Sequence, residues 1–327
     1  MHLTALLLAA LAALSQASMP PVPAADGKLV LLRFQATKQR GQFVKDLRAE
    51  DVEVMVDGAA QKLAVFEGPN SKRTIPLGIS ILFDCSVASL NAGVPDPRLF
   101  QESLLSQRED AAISLYTFGN TEGLIRLAPF TRDLEILRRG MSAALHSHPT
   151  GTFLLEQIRR LASPSPGATR AVHMLVVISD GHPDYAPVGE GARRDRYDAT
   201  VRAAQDANMT VFPVLLRTEA SGGGFYEGGG GRNGGLASSS VGGEDAPRTL
   251  GDFKDLGKAT GGEHFEPLGG SNPLPALLKS IAKLIQDEYV VGFTPASAGE
   301  AKRHKVEIVV RDKNLGKPVK GTRTLVY

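Results

Sequence analysis

Two stretches decide the fold: Leu77–Asp84, reading LGISILFD, and Ala171–Ser179, reading AVHMLVVIS and running into Asp180. Neither alternates apolar with polar residues, as a half-solvated strand would. A near-continuous apolar run of this length is a strand covered on both faces, the mark of a parallel sheet between helix layers. The intervening pattern agrees. Helical spacing is read over 97–108, 132–146, 152–162, 190–207, 250–259 and 274–285, and strand patterns over 110–118, 124–127, 210–216 and 263–265. Strands alternating with helices predict an α/β domain with a doubly wound, mostly parallel sheet. Such sheets bind ligands beyond the carboxyl ends of their strands, where both Asp84 and Asp180 fall.

Outward from this region the pattern turns to β. Strand-like runs cover 29–35, 52–56 and 62–66, with Asp57-Gly58 as a hairpin turn signal. Three more, at 288–294, 305–310 and 322–327, close the chain. Three strands at either end are too few for two independent sheets, so the two segments are expected to pair into a smaller discontinuous β-sandwich. The predicted organisation is a signal peptide (1–17), a flexible Pro-rich leader (18–27), an N-terminal β segment (28–75), the α/β domain (76–287) and a C-terminal β segment (288–327). Residues 221–247 hold eleven glycines and few large apolar groups, a composition expected to form a mobile surface loop.

The signal-peptide reading rests on LTALLLAALAAL (3–14), too short to span a bilayer, followed by the small residues Ser15 and Ala17. It predicts export, with the protein secreted or held in the periplasm or cell envelope and no membrane span left after cleavage. With 37 basic and 35 acidic side chains the 327-residue chain is nearly neutral, without the basic patch that nucleic-acid binding requires. The single cysteine, Cys85, excludes an internal disulfide framework.

The groups converging on the strand ends are oxygens. Asp84, Ser86 and Ser89 follow the first strand, Thr150 and Thr152 precede the helix at 152–162, and Asp180 follows the central strand. A set of carboxylates and hydroxyls suits a hard cation, Mg²⁺, Mn²⁺ or Ca²⁺, rather than zinc. Mg²⁺ keeps positions open to water or an incoming carboxylate, so such a site could take the acidic side chain of a protein partner. Other readings use the same rim. Asp180, His182, Asp184 and Cys85 could support hydrolysis, and a structural envelope protein could bind through the edge of its β-sandwich.

On these residues the chain resembles the von Willebrand factor A family, and within it the bacterial exported VWFA-related proteins. The resemblance implies a metal-ion-dependent adhesion site, with Asp84 and Ser86 standing in its Asp-x-Ser-x-Ser motif, Thr152 in Gly151-Thr152, and Asp180 in Ile178-Ser179-Asp180-Gly181. Ala88 replaces the third hydroxyl of that motif, and Ser89 lies one residue beyond. Flanking segments resemble the subfamily too: Asp46-Leu47 with Glu50-Asp51-Val52-Glu53-Val54, Thr131-x-Asp133, and Tyr289-Val290-Val291-Gly292-Phe293-Thr294-Pro295. The function implied is a non-catalytic, adhesion-type module binding a protein partner at the strand-end rim, through a divalent cation where the imperfect motif retains one.

Overall fold

A computed structural model of the chain describes residues 29–38, 41–85, 95–106, 108–119, 123–144, 154–162, 172–179, 181, 189–216, 245–266, 274–295, 302–319 and 321–326. The predicted signal peptide and leader, and positions 221–244 of the predicted Gly-rich loop, lie outside the described residues. Five strands come first: β1 (Val30–Thr37), β2 (Phe43–Val44), β3 (Val52–Val56), β4 (Ala59–Gln61) and β5 (Leu63–Glu67). The central region follows with β6 (Leu77–Asp84), α1 (Pro97–Phe100, continued by the π-helical turn Gln101–Leu105), β7 (Ala111–Gly119), β8 (Gly123–Thr131), α2 (Leu134–Ala144) and α3 (Leu154–Ala162). It continues with β9 (Val172–Ser179), α4 (Glu190–Asp206), β10 (Met209–Leu215), α5 (Asp245–Ala259) and α6 (Leu274–Gln286). Strands β11 (Tyr289–Phe293), β12 (Arg303–Val310), β13 (Lys317–Val319) and β14 (Thr322–Val326) come last.

The central sheet runs β10-β9-β6-β7-β8. Its β6–β7, β6–β9 and β9–β10 pairs are parallel, and β8 is antiparallel to β7. Counted within the sheet the order is 3-2-1-4-5, and Phe265 extends it by one parallel bridge to Val214. This is the doubly wound α/β arrangement, whose strand order reverses between β6 and β9. Alternation along β6 explains its reading. Leu77, Ile79, Ile81 and Phe83 pack with Phe100, Leu104, Leu137, Met141, Leu278 and Ile281 under α1, α2 and α6. Leu82, with Leu175 and Val177 of β9, packs with Leu154, Ile158, Tyr197, Phe253 and Leu256 under α3, α4 and α5. Each such fully buried side chain contributes about 1.5–3 kcal/mol, so the strand has an apolar reason to be continuous.

The chain ends build two further sheets, β13-β1-β11-β5 with β2 beside β1, and β14-β12-β3-β4. Each joins N-terminal to C-terminal strands: β1 pairs antiparallel with β11, and β3 with β12. Leu32, Phe34, Tyr289 and Val291 of one sheet share an apolar layer with Val54, Val306, Ile308 and Leu325 of the other, which makes the pair a β-sandwich. The Asp57-Gly58 turn has positive φ at both residues (48° and 85°), the backbone that a two-residue hairpin requires.

Several expectations change. The short strand expected at 124–127 is the nine-residue β8. Only three residues separate it from β7, and so short a connection permits only an antiparallel pair. The helix expected over 97–108 leaves α-geometry after Phe100 and ends at Leu105. Helix α5 begins at Asp245, so the last three positions of the predicted Gly-rich loop 221–247 are helical, with Pro247 in a first turn that needs no N–H from it. The strand read at 263–265 contracts to the single bridge at Phe265. Strands β2, β4 and β13 are too short to show a period in the sequence, and β13 carries Pro318 as an edge strand can.

Candidate functional site

Asp84 ends β6 and Ser179 ends β9, the two strands that meet where the strand order reverses. Phe83 is in register with Ile178, so the next residue along each strand is also a neighbour. Both side chains fall on the face of their strands that carries Leu82 and Val177, by the two-residue period of the pleat. Both are fully buried. The Ser179 hydroxyl donates to Asp84 Oδ2 at 2.7 Å and accepts the Gly181 N–H at 3.1 Å. One hydroxyl thereby holds the carboxylate and ties down the chain leaving β9. Gly181 has φ of 83°, and a Cβ there would lie 2.7 Å from Leu250 Cδ1 and 2.8 Å from Leu215 Cδ1. Glycine meets both demands, the left-handed backbone and the close approach.

On the opposite face Thr117 of β7 is fully buried, and its hydroxyl reaches Phe83 O and Cys85 Sγ, each at 2.9 Å. Cys85 is itself fully buried among the apolar side chains beneath α1, α2 and α6. That environment suits a structural thiol better than a nucleophile, which needs exposure and a lowered pKa.

Of the predicted metal ligands, Asp84 is in place at the switch point. Ser86, Ser89, Thr150, Thr152 and Asp180 lie outside the described residues, as do Ala88, His182 and Asp184. No group of three or more His, Cys, Asp or Glu converges among the described residues. A carboxylate oriented by a hydroxyl, with an all-oxygen donor set in the adjoining sequence, fits a hard cation of the Mg²⁺ or Ca²⁺ type. Ser179 carried no weight in the sequence reading. The signal was present in its position, the last residue of a strand before a carboxylate and a glycine.

The flanking motifs find structural roles. The Tyr289 hydroxyl donates to Val44 O and accepts the Leu47 N–H, both at 3.0 Å, joining the Asp46-Leu47 segment to β11. Asp133 accepts the N–H groups of Glu135 and Ile136 at 2.8 and 3.3 Å and so caps α2. Far from the rim, the sequence reading also missed Arg33, 3% exposed within the apolar run of β1 and paired at 2.7 Å with Glu288. A charged residue interrupting Val-Leu-Leu-x-Phe was its signal.

No protein-family model matches the chain, and no curated protein matches it. Solved structures do. A von Willebrand factor type A protein from Catenulispora acidiphila has 12% identity and a TM-score of 0.41, covering 95% of this chain and 75% of its own. The vWF domain of the type V pili tip protein Mfa5 from Porphyromonas gingivalis has 14% identity and a TM-score of 0.41, covering 65% and 96%. A mutant of the PilB minor pilin from Streptococcus sanguinis has 10% identity and a TM-score of 0.43, covering 82% and 87%. Von Willebrand factor type A domains are thus among the structures whose fold this chain resembles.

Proposed function

We propose that the chain is an exported, non-catalytic protein-interaction module that binds its partner at the carboxyl-end rim of the central sheet. The observation carrying this reading is the Asp84 carboxylate, fully buried at the switch point and oriented there by Ser179. Burying a carboxylate is costly, and a chain tolerates it where the charge has a task such as holding a cation. Asp84, Ser86, Thr152 and Asp180 would hold Mg²⁺, with Mn²⁺ or Ca²⁺ as alternatives and Ser89 or Thr150 as substitute hydroxyls for the position lost at Ala88. Bound there, the cation supplies an open coordination position for an acidic side chain of the partner. Ser179 fixes the direction of the carboxylate, and Gly181 lets the following loop pass close over Leu215 and Leu250.

Calorimetric titration of Mg²⁺ and Mn²⁺ into the processed protein, paired with capture from envelope extract with and without EDTA, tests this directly. Saturable heat and EDTA-sensitive capture are expected. Absence of heat removes the cation, and capture unaffected by Asp84→Ala removes the rim itself.

A further inference from the structure

A second site lies at the opposite end of the central sheet, where the sandwich meets the α/β region. A pocket there, with about 400 Å³ of empty space including its open mouth, is lined by Arg33, Gln35, Thr210, Glu263, Glu288 and Arg323 among others. Arg33 is 3% exposed. Its Nη1 donates to Glu288 Oε2 at 2.7 Å and lies 3.5 Å from the Met174 sulfur. Its Nε and Nη2 are buried and have no acceptor among the described residues. Leaving guanidinium N–H groups unpaired in a buried place is expensive.

The charge around the pocket is unbalanced in one direction. Arg33, Arg73, Arg108 and Arg323 act on one another across this junction, against the carboxylates of Glu288, Asp110 and Glu67. Arg108 is occupied by Asp110, which it grips through Nε and Nη2 at 2.8 and 2.5 Å. Arg73 and Arg323 spend their bonds on neutral backbone carbonyls, Arg73 on Glu288 O and Arg323 on Arg33 O. Glu263 is exposed at the mouth, where solvent screens it. Burial lowers the Arg33 pKa from 12.5 to about 10, which leaves it charged at neutral pH. One positive charge therefore exceeds the buried negative charge, beside two N–H donors that need an acceptor.

We propose that this pocket binds a small monovalent inorganic anion of the chloride class, accepting from Arg33 Nε and Nη2 with Arg323 alongside. A water molecule could accept from the same donors but would leave the excess charge unneutralised in a poorly solvated place. The site would lock the sandwich to the α/β region, because Arg33 belongs to β1, Arg323 to β14 and Thr210 to β10.

The test replaces gluconate stepwise by chloride at constant ionic strength and follows the Tm of the full chain, with ³⁵Cl NMR line broadening as the direct binding readout. A saturable rise is expected, about 3 °C at a tenfold excess over Kd, together with broadening that bromide competes away. Arg33→Met combined with Glu288→Leu removes the pair without stranding either charge and should abolish both signals. Should that variant fail to fold, Arg323→Gln keeps the Arg33–Glu288 pair and should weaken chloride binding at least threefold. A Tm and linewidth independent of chloride in the unaltered protein mean water only and overturn the proposal. Equally, a chloride response unchanged in the folded double variant, or in Arg323→Gln, overturns it.

Discussion

Replacing Ser179 by alanine tests the construction of the rim more sharply than replacing any ligand. The hydroxyl makes two buried hydrogen bonds, 2.7 Å to the Asp84 carboxylate and 3.1 Å from the Gly181 N–H. A hydrogen bond to a charged group is worth about 1.5–3 kcal/mol, and leaving the Gly181 amide without an acceptor adds about 1 kcal/mol. The expected loss is about 2–4 kcal/mol, measured as a shift of the urea midpoint at constant m-value. Ser114→Ala is the internal standard. Its hydroxyl lies 2.9 Å from that of Ser80 and both residues are fully buried, but neither is charged, so about 1 kcal/mol is expected. A double-mutant cycle of Ser179→Ala with Asp84→Asn should show a coupling of at least about 1 kcal/mol. If the rim holds a cation, Ser179→Ala also weakens it by about 10–100-fold, as loss of a ligand-orienting partner does. Ser179→Ala costing no more than Ser114→Ala, or a cycle without coupling, refutes the claim that the hydroxyl holds a buried charge.

Gly181→Ala should lower stability by about 1–3 kcal/mol, since it combines a φ of 83° with contacts of 2.7 and 2.8 Å to leucine methyls; an unchanged urea midpoint would contradict this. His173, 2.9 Å from Ser80 Oγ, has its pKa drawn down from 6.5 to about 4 by burial. The unfolded chain takes up this proton as pH falls through 6.5, while the folded chain resists until about 4. Stability from this group is therefore full above 6.5 and is lost as pH falls toward 4, with a slope of up to about 1.4 kcal/mol per pH unit. His173→Gln should flatten urea midpoints measured across that window, and an unaltered slope would exclude His173 as its source.

Much of the architecture is legible in the residues because local chemistry determined it. The unbroken apolar run of β6 demands helices on both faces, and the turn at Asp57-Gly58 follows from two adjacent residues that tolerate positive φ. The direction of β8 was less legible: GLIRLAPFT reads as a strand in either orientation, and only the short connection from β7 selects antiparallel. The pairing of β1 with β11 joins Arg33 to Val290 across most of the chain. Its expectation came from counting strands at each end, whereas its register came from packing.

The sequence by itself determined that two apolar strands end in aspartates, that β-type segments flank them, and that the donors near the strand ends are oxygens. Periodicity and residue chemistry act over a few positions and survive in any reading of the chain. Only the tertiary structure decided that Ser179 answers Asp84, and that Arg33 is buried against Glu288 with two N–H groups unspent. Those partners stand 95 and 255 positions apart. A hydrogen bond or an ion pair depends on ångström distances that no local pattern encodes.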